Sequence, residues 1–283
     1  MAKNNNLNDF LTDVANSIRT KTGTTDPINA QDFSNKILSI QTGGGENTLK
    51  KLIDARKSSA YLFEEYSGTS IDGLIQPSDT ENAADMTNMF NYCTNLTTIP
   101  LLDTSNVIYM NSMFYECKSL TTVPLLNTSN VTTMNSMFSS CKALTSIPQL
   151  NTSKNRDMGA MFISCTNLTT IPLLDTSNVN NMWGMFSQCV SLTTVPALDA
   201  SNVTSMGSMF FYCTNLKSIL MTNIGTDLDI SASTKFERSD LLVILNNLKT
   251  VTSATTLTMG ATNLAKLTDE DKAIAINKGW TLA

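Results

Sequence analysis

The chain has 283 residues, a net charge of −5, 15% charged residues and no histidine. Without His there is no His-based general acid or base, no Ser-His-Asp or Cys-His arrangement and no ordinary catalytic zinc site. The acidic balance gives no electrostatic footprint for nucleic acid, and no apolar run approaches the roughly 20 residues of a membrane-spanning helix, so neither nucleic-acid binding nor membrane insertion is expected.

The N-terminus, MAKNNNLNDF, has no apolar h-region, so no secretory signal peptide is expected. Leu7, Phe10, Leu11, Val14 and Ile18, with Ala15 between them, form one continuous helical stripe. After a turn at 21–27, Asn29 can cap a second short helix with Phe33, Ile37 and Leu38 on its apolar face. A helical pair spanning 1–42 is too small to bury such a stripe by itself. It is expected to be an attachment or oligomerisation module whose stripe is completed by a partner chain. Residues 43–46, beginning Gly43-Gly44-Gly45, make a flexible linker. Residues 47–85 are expected to cap the region that follows, with a helix over 47–66.

Residues 86–219 are a repeat. Cys93, Cys117, Cys141, Cys165, Cys189 and Cys213 are separated by 24 residues each time. Met86 to Met206 and the pairs Met89-Phe90 to Met209-Phe210 recur in the same register, as do Leu96 to Leu216 and an Ile-Pro or Val-Pro pair. The unit reads MxxMFxxCxxLTxIPxLxTSNVxx, in about five and a half copies. A 24-residue period falls in the range of leucine-rich repeats. One unit cannot bury its apolar set alone, and stacking buries each set on the next. The spacing therefore predicts a solenoid of about six rungs with identical side chains in columns. Leu-Thr-x-Ile is expected to be a short strand ended by Pro. Asp/Asn-Thr-Ser-Asn is expected to be a corner whose last Asn bonds a neighbouring coil. Lys154, Asn155 and Arg156 break the pattern and predict an irregular rung. Stacked cysteines lie near disulfide distance and can bind metal, yet their setting among Phe and Leu favours buried structural thiols.

Beyond Leu216 the repeat fades, and 220–283 is expected to be a helix-containing C-terminal cap. It should hold a helix over 240–248, a strand over 255–259 and a helix opened by the capping-box pair Thr268 and Asp271. The fold class is α+β: a leucine-rich-repeat solenoid between a small helical N-terminal module and this cap.

The MxxMFxxC, Leu-Thr-x-Ile/Val and TSNV elements resemble the BspA-like leucine-rich repeat family of bacterial surface and phage proteins, over about half the chain. The stretch LTDVANSIRTKTGTTDPINAQDF, 11–33, looks like the short head of many phage tail and baseplate proteins. Together these resemblances imply a non-enzymatic virion structural protein of tail, baseplate or fibre type. Its head would contact other virion proteins, its solenoid a host surface protein or glycan, and it would form a homo-oligomer. A bacterial surface adhesin and a tail-associated glycan hydrolase are the alternatives.

Fixed columns are packing, so function is sought at variable positions. Trp183 stands where other copies have Thr, Asn or Gly. Tyr109 precedes Met110, and Tyr115, Phe211 and Tyr212 follow Met-Phe pairs. These five are the candidate partner-binding residues. A stacked pair, Asp175 and Asp199, has the spacing a retaining glycosidase needs, but both sit in the corner column with Asp103, Asn127 and Asn151 and read as turn formers. No P-loop, GxSxG, HExxH or dinucleotide fingerprint occurs, so no catalytic, metal or cofactor residue is expected.

Overall fold

A computed structural model describes residues 48–283. The stripe of Leu7, Phe10, Leu11, Val14 and Ile18, the second helix and the Gly linker lie outside the described residues. Within them the chain is a stack of parallel coils around one continuous apolar core. Met86, Met89, Phe90, Cys93 and Leu96 are each fully buried, and so are their equivalents in the following coils to within about 2%.

The backbone of each MxxMFxxC segment divides its N–H groups between two acceptors. Met86, Asn88, Phe90 and Tyr92 donate to Tyr109, Asn111, Met113 and Tyr115 carbonyls of the next coil, at 2.8–2.9 Å. Met89, Asn91 and Cys93 donate to the residue three back in their own coil. This alternation satisfies most amides of a buried segment without a regular helix or strand, and the Thr87 amide turns instead to Asp85 Oδ1. It requires left-handed backbone twice per coil, at Asn88 and Tyr92, Ser112 and Glu116, Ser136 and Ser140, and so on. Each such non-glycine residue costs roughly 1–2 kcal/mol. Glycine takes one of these positions only at Gly184.

The segment packs as ladders. Phe90, Phe114, Phe138, Phe162, Phe186 and Phe210 stack nearly parallel at centroid spacings of 5.5–6.0 Å. On the opposite wall the expected Leu-Thr-x-Ile strand is fully formed only where β1 (Thr194–Val195) pairs in parallel with β2 (Ser218–Ile219). Thr121 and Thr169 keep one backbone inter-coil bond, to the Thr97 and Thr145 carbonyls, which their hydroxyls also reach. Sheet pairing is weak there because the proline of every unit from Pro100 to Pro196 removes a donor.

The corner behaves as its sequence predicts. Asp103, Asn127, Asn151, Asp175 and Asp199 each accept the amide of the serine two residues on. Asn106, Asn130, Asn178 and Asn202 donate across to carbonyls of the preceding coil at 2.6–2.8 Å.

Two expectations are corrected. The helix over 47–66 is shorter: α1 (Thr48–Arg56) ends and the chain enters another coil. Ser59, Tyr61, Phe63 and Glu65 donate to Asp85, Thr87, Met89 and Asn91 carbonyls, the bonding of a repeat unit. Phe63 stacks on Phe90 at 5.5 Å and extends the ladder. The left-handed residues Tyr61 and Glu65 explain why a helix cannot continue. The rung at Lys154–Arg156 is regular rather than kinked. Asn155 donates to Thr152 as Val131 does to Thr128, and Arg156 to Thr132 as Thr132 does to Ile108. Asn155 occupies the valine position fully buried, with its Nδ2 unpaired.

The C-terminal region continues the parallel wall. Strands β3 (Leu228–Asp229), β4 (Thr255–Thr258) and β5 (Trp280–Leu282) form a parallel sheet in that order, with Leu228, Leu257 and Leu282 in register. Helices α2 (Arg238–Asn246), α3 (Ala261–Leu264) and α4 (Asp269–Ile276) lie between the strands along the chain. The expected helix, strand and capping box are present, while β3, α3 and β5 are additions; Thr268 Oγ1 accepts from Asp271 N–H at 3.2 Å. Arg238 holds Asp271 in a bidentate pair at 2.7 Å, joining α2 to α4.

Candidate functional site

The interior is inert. Each thiol donates to the carbonyl of the phenylalanine one coil earlier: Cys117 to Phe90 at 3.0 Å, Cys165 to Phe138 at 2.9 Å and Cys213 to Phe186 at 2.9 Å. That same phenylalanine carbonyl accepts the amide of its own coil's cysteine, or of Tyr66 in the case of Phe63, so both lone pairs are used. Burial pushes the Cys165 and Cys213 thiols up to about 12 and those of Cys141 and Cys189 well above the usual thiol range. All six cysteines are buried and free. Among the described residues no group of three or more Cys, Asp or Glu is placed to hold a metal ion, and no helix is long and apolar enough to cross a membrane.

Apart from the buried Asn155, most variation lies on the outside, and the structure separates the five candidates into groups. Trp183, Tyr109, Phe211 and Tyr212 are exposed; Trp183 keeps 49% of its surface in solvent. Tyr115 is half-buried, with its ring edge-on to Tyr92 at 5.4 Å. Phe211 and Tyr212 pack edge to face at 4.4 Å near the end of the repeat. Tyr109 lies in the chain of single parallel bridges that runs from Ser58 to Ser205. The Trp183 backbone amide donates to Asn181 Oδ1 at 3.0 Å, and Asn181 Nδ2 donates in turn to Asp157 Oδ1 at 2.8 Å. The five do not converge on one spot; they mark separate positions along the stack.

A second outer feature escaped the sequence reading. Leu101, Leu125 and Leu173, each following the unit's proline, are more than half exposed, whereas the next leucine in each coil is buried. The signal was the doubled leucine of Pro-Leu-Leu, of which one copy faces out. Where Gln149 and Ala197 replace the outer leucine, the surface dips into an open groove of about 400 Å³ reaching Asp175 and Asp199.

Those two carboxylates lack the asymmetry that glycoside hydrolysis needs. The Ser177 hydroxyl and amide hold the Asp175 carboxyl below its usual range. Burial pushes Asp199 up, but the Asn223 amide and Ser201 together outweigh it and hold it low as well. Two ionised turn formers offer no general acid.

The profile of the family described as "Mycoplasma protein of unknown function, DUF285" matches residues 57–171 and 145–238. The chain belongs to this family. The DUF285 match begins where α1 has ended and includes the additional coil at 59–66. The DUF285 repeat is similar in structure to a leucine-rich repeat protein of T. pallidum solved by crystallography. Identity is 20% over 66% of this chain and 84% of that one, with a TM-score of 0.43. Among curated proteins none matches.

Proposed function

We propose that this chain is a non-enzymatic display protein whose solenoid carries a recognition surface for host cells or virion neighbours, and that it serves as a tail, baseplate or fibre component of a phage particle. One observation carries the display reading: inner columns are nearly invariant from coil to coil, while Trp183 and Tyr109 and the pair Phe211 and Tyr212 are set on the outside. A repeat scaffold separates packing from presentation in this way. The phage placement is supported by the likeness of 11–33 to short phage heads. In that reading 1–42 attaches the chain to other virion proteins or to further copies of itself.

A cell-surface adhesin is the second reading, favoured by the family description, which names a cellular bacterium. Mass spectrometry of purified particles, with the envelope fraction of unlysed producing cells beside it, distinguishes them. The phage reading expects the chain in particles. Its absence there, with presence in the envelope, would overturn that reading in favour of the adhesin.

A further inference from the structure

We infer that Trp183 and the polar side chains N-terminal to it along the stack form a glycan subsite, taking one or two pyranose rings of an oligosaccharide. The inference rests on the display reading and names its ligand class. Trp183 is flanked in its own column by Gly159 one coil before and Gly207 one coil after, where earlier coils carry Thr87, Asn111 and Asn135. Neither of the two glycines has a positive φ, so backbone conformation does not call for them. Space does. A Cβ on Gly207 would sit 3.3 Å from Trp183 Cδ1, so the indole leans over that bare backbone. A Cβ on Gly159 would lie 2.6 Å from Asn181 Nδ2 and 2.9 Å from Asn135 Nδ2, inside a network centred on Asp157.

In that network Asp157 Oδ1 accepts the Gly159 amide at 2.9 Å and Asn181 Nδ2 at 2.8 Å, while Asn181 Oδ1 accepts the Trp183 amide at 3.0 Å. The Trp183 backbone and the Asp157 carboxylate are thus tied across one coil by a shared asparagine. Asp157 Oδ2 has only a 3.4 Å contact with Asn135 and retains acceptor capacity. An exposed indole laid over the Gly207 backbone, with a carboxylate and planar amides on the coils before it, matches an oligosaccharide running along the stack, which offers an apolar C–H face to the ring and vicinal hydroxyls to the polar groups. The coil spacing, 5.7–6.0 Å between stacked phenylalanines, is close to the length of one sugar ring, so a second ring would reach the coil of Asp157.

Trp183 reports on the site directly, because Trp280 is buried with its indole N–H bonded to Lys249 O. The test is a fluorescence titration of the full chain with maltohexaose, cellohexaose, chitohexaose and polysaccharide released from host cells. The expected result is a saturable change with at least one of them. Trp183→Ala should abolish binding, read by isothermal titration calorimetry because that variant lacks the reporter, and Asp157→Ala should weaken it roughly tenfold or more, both with unchanged circular dichroism. No saturable change with any of the four overturns the glycan subsite. If Trp183→Ala instead lowers attachment to host cells stripped of polysaccharide, the display reading survives and a protein partner replaces the sugar.

Discussion

The Cys165 sulfur lies 2.9 Å from the carbonyl oxygen of Phe138, and the same oxygen receives the Cys141 amide at 3.1 Å. The cysteine column is therefore a ladder of thiol donors, which must stay protonated to hold the coils together. Burial raises the Cys165 thiol from 9.0 to about 12. A group whose folded value is raised contributes stability that is whole below the unfolded value and fades as pH climbs toward the folded one. Chemical denaturation should show stability falling between about pH 9 and pH 12. Cys165→Ala should flatten that slope. Thiol reagent should label the native protein slowly and the unfolded protein fast, and rapid labelling of several cysteines in the native state would contradict the ladder.

The phenylalanine column is the mechanical spine of the stack. Phe138 is fully buried between Phe114 and Phe162. Phe138→Ala should cost roughly 3–5 kcal/mol through the cavity left behind. Because each coil touches mainly its neighbours, the loss should divide one cooperative thermal transition into two. A single transition shifted by a degree or less would show that the column contributes little.

Asn155 is the opposite case, a polar side chain in a valine column. Its Oδ1 accepts the Asp157 amide at 3.1 Å, but its Nδ2 is buried and unpaired. Asn155→Val removes that orphan donor and should raise stability by about 1 kcal/mol, measured by denaturant midpoint. A loss of stability would mean that the Asp157 contact outweighs the orphan.

The corner acids act through an acceptor oxygen, not through charge, since Asn127 and Asn151 make the same serine contacts as Asp175. Asp175→Asn should be neutral within about 0.5 kcal/mol, and Asp175→Ala should cost about 1 kcal/mol. Polysaccharide hydrolysis should be undetectable for the unmodified chain. Hydrolysis abolished by Asp175→Asn would restore the hydrolase reading.

The repeated part of the fold was legible because one coil's packing problem is solved six times over, so the columns stand out against drift. The coil at 59–66 was harder to read. Its Ser59, Leu62, Phe63 and Tyr66 stand where the unit has Met, Met, Phe and Cys, and the step to the next coil is 27 residues instead of 24. A search for Met and Cys, or for the 24-residue spacing, passes over it, and only the Leu62-Phe63 pair stands in for Met-Phe. The strands were over-read because Leu-Thr-x-Ile alternates like a strand while the adjacent proline limits its pairing. At the candidate surface, exposed aromatics were visible from broken columns, but the Asp157 network was not. It depends on Asn135, Asp157 and Asn181 meeting over Gly159, which no single repeat displays.

The central claim is that the invariant interior supports an outer surface that recognises a cell. Its most direct test is binding of the purified, labelled chain to whole host cells, compared with the Trp183→Ala, Tyr115→Ala double variant. The account predicts saturable binding by the unmodified chain and a loss of roughly tenfold or more in the variant at unchanged thermal stability. No binding by the unmodified chain, or equal binding by both, would contradict it.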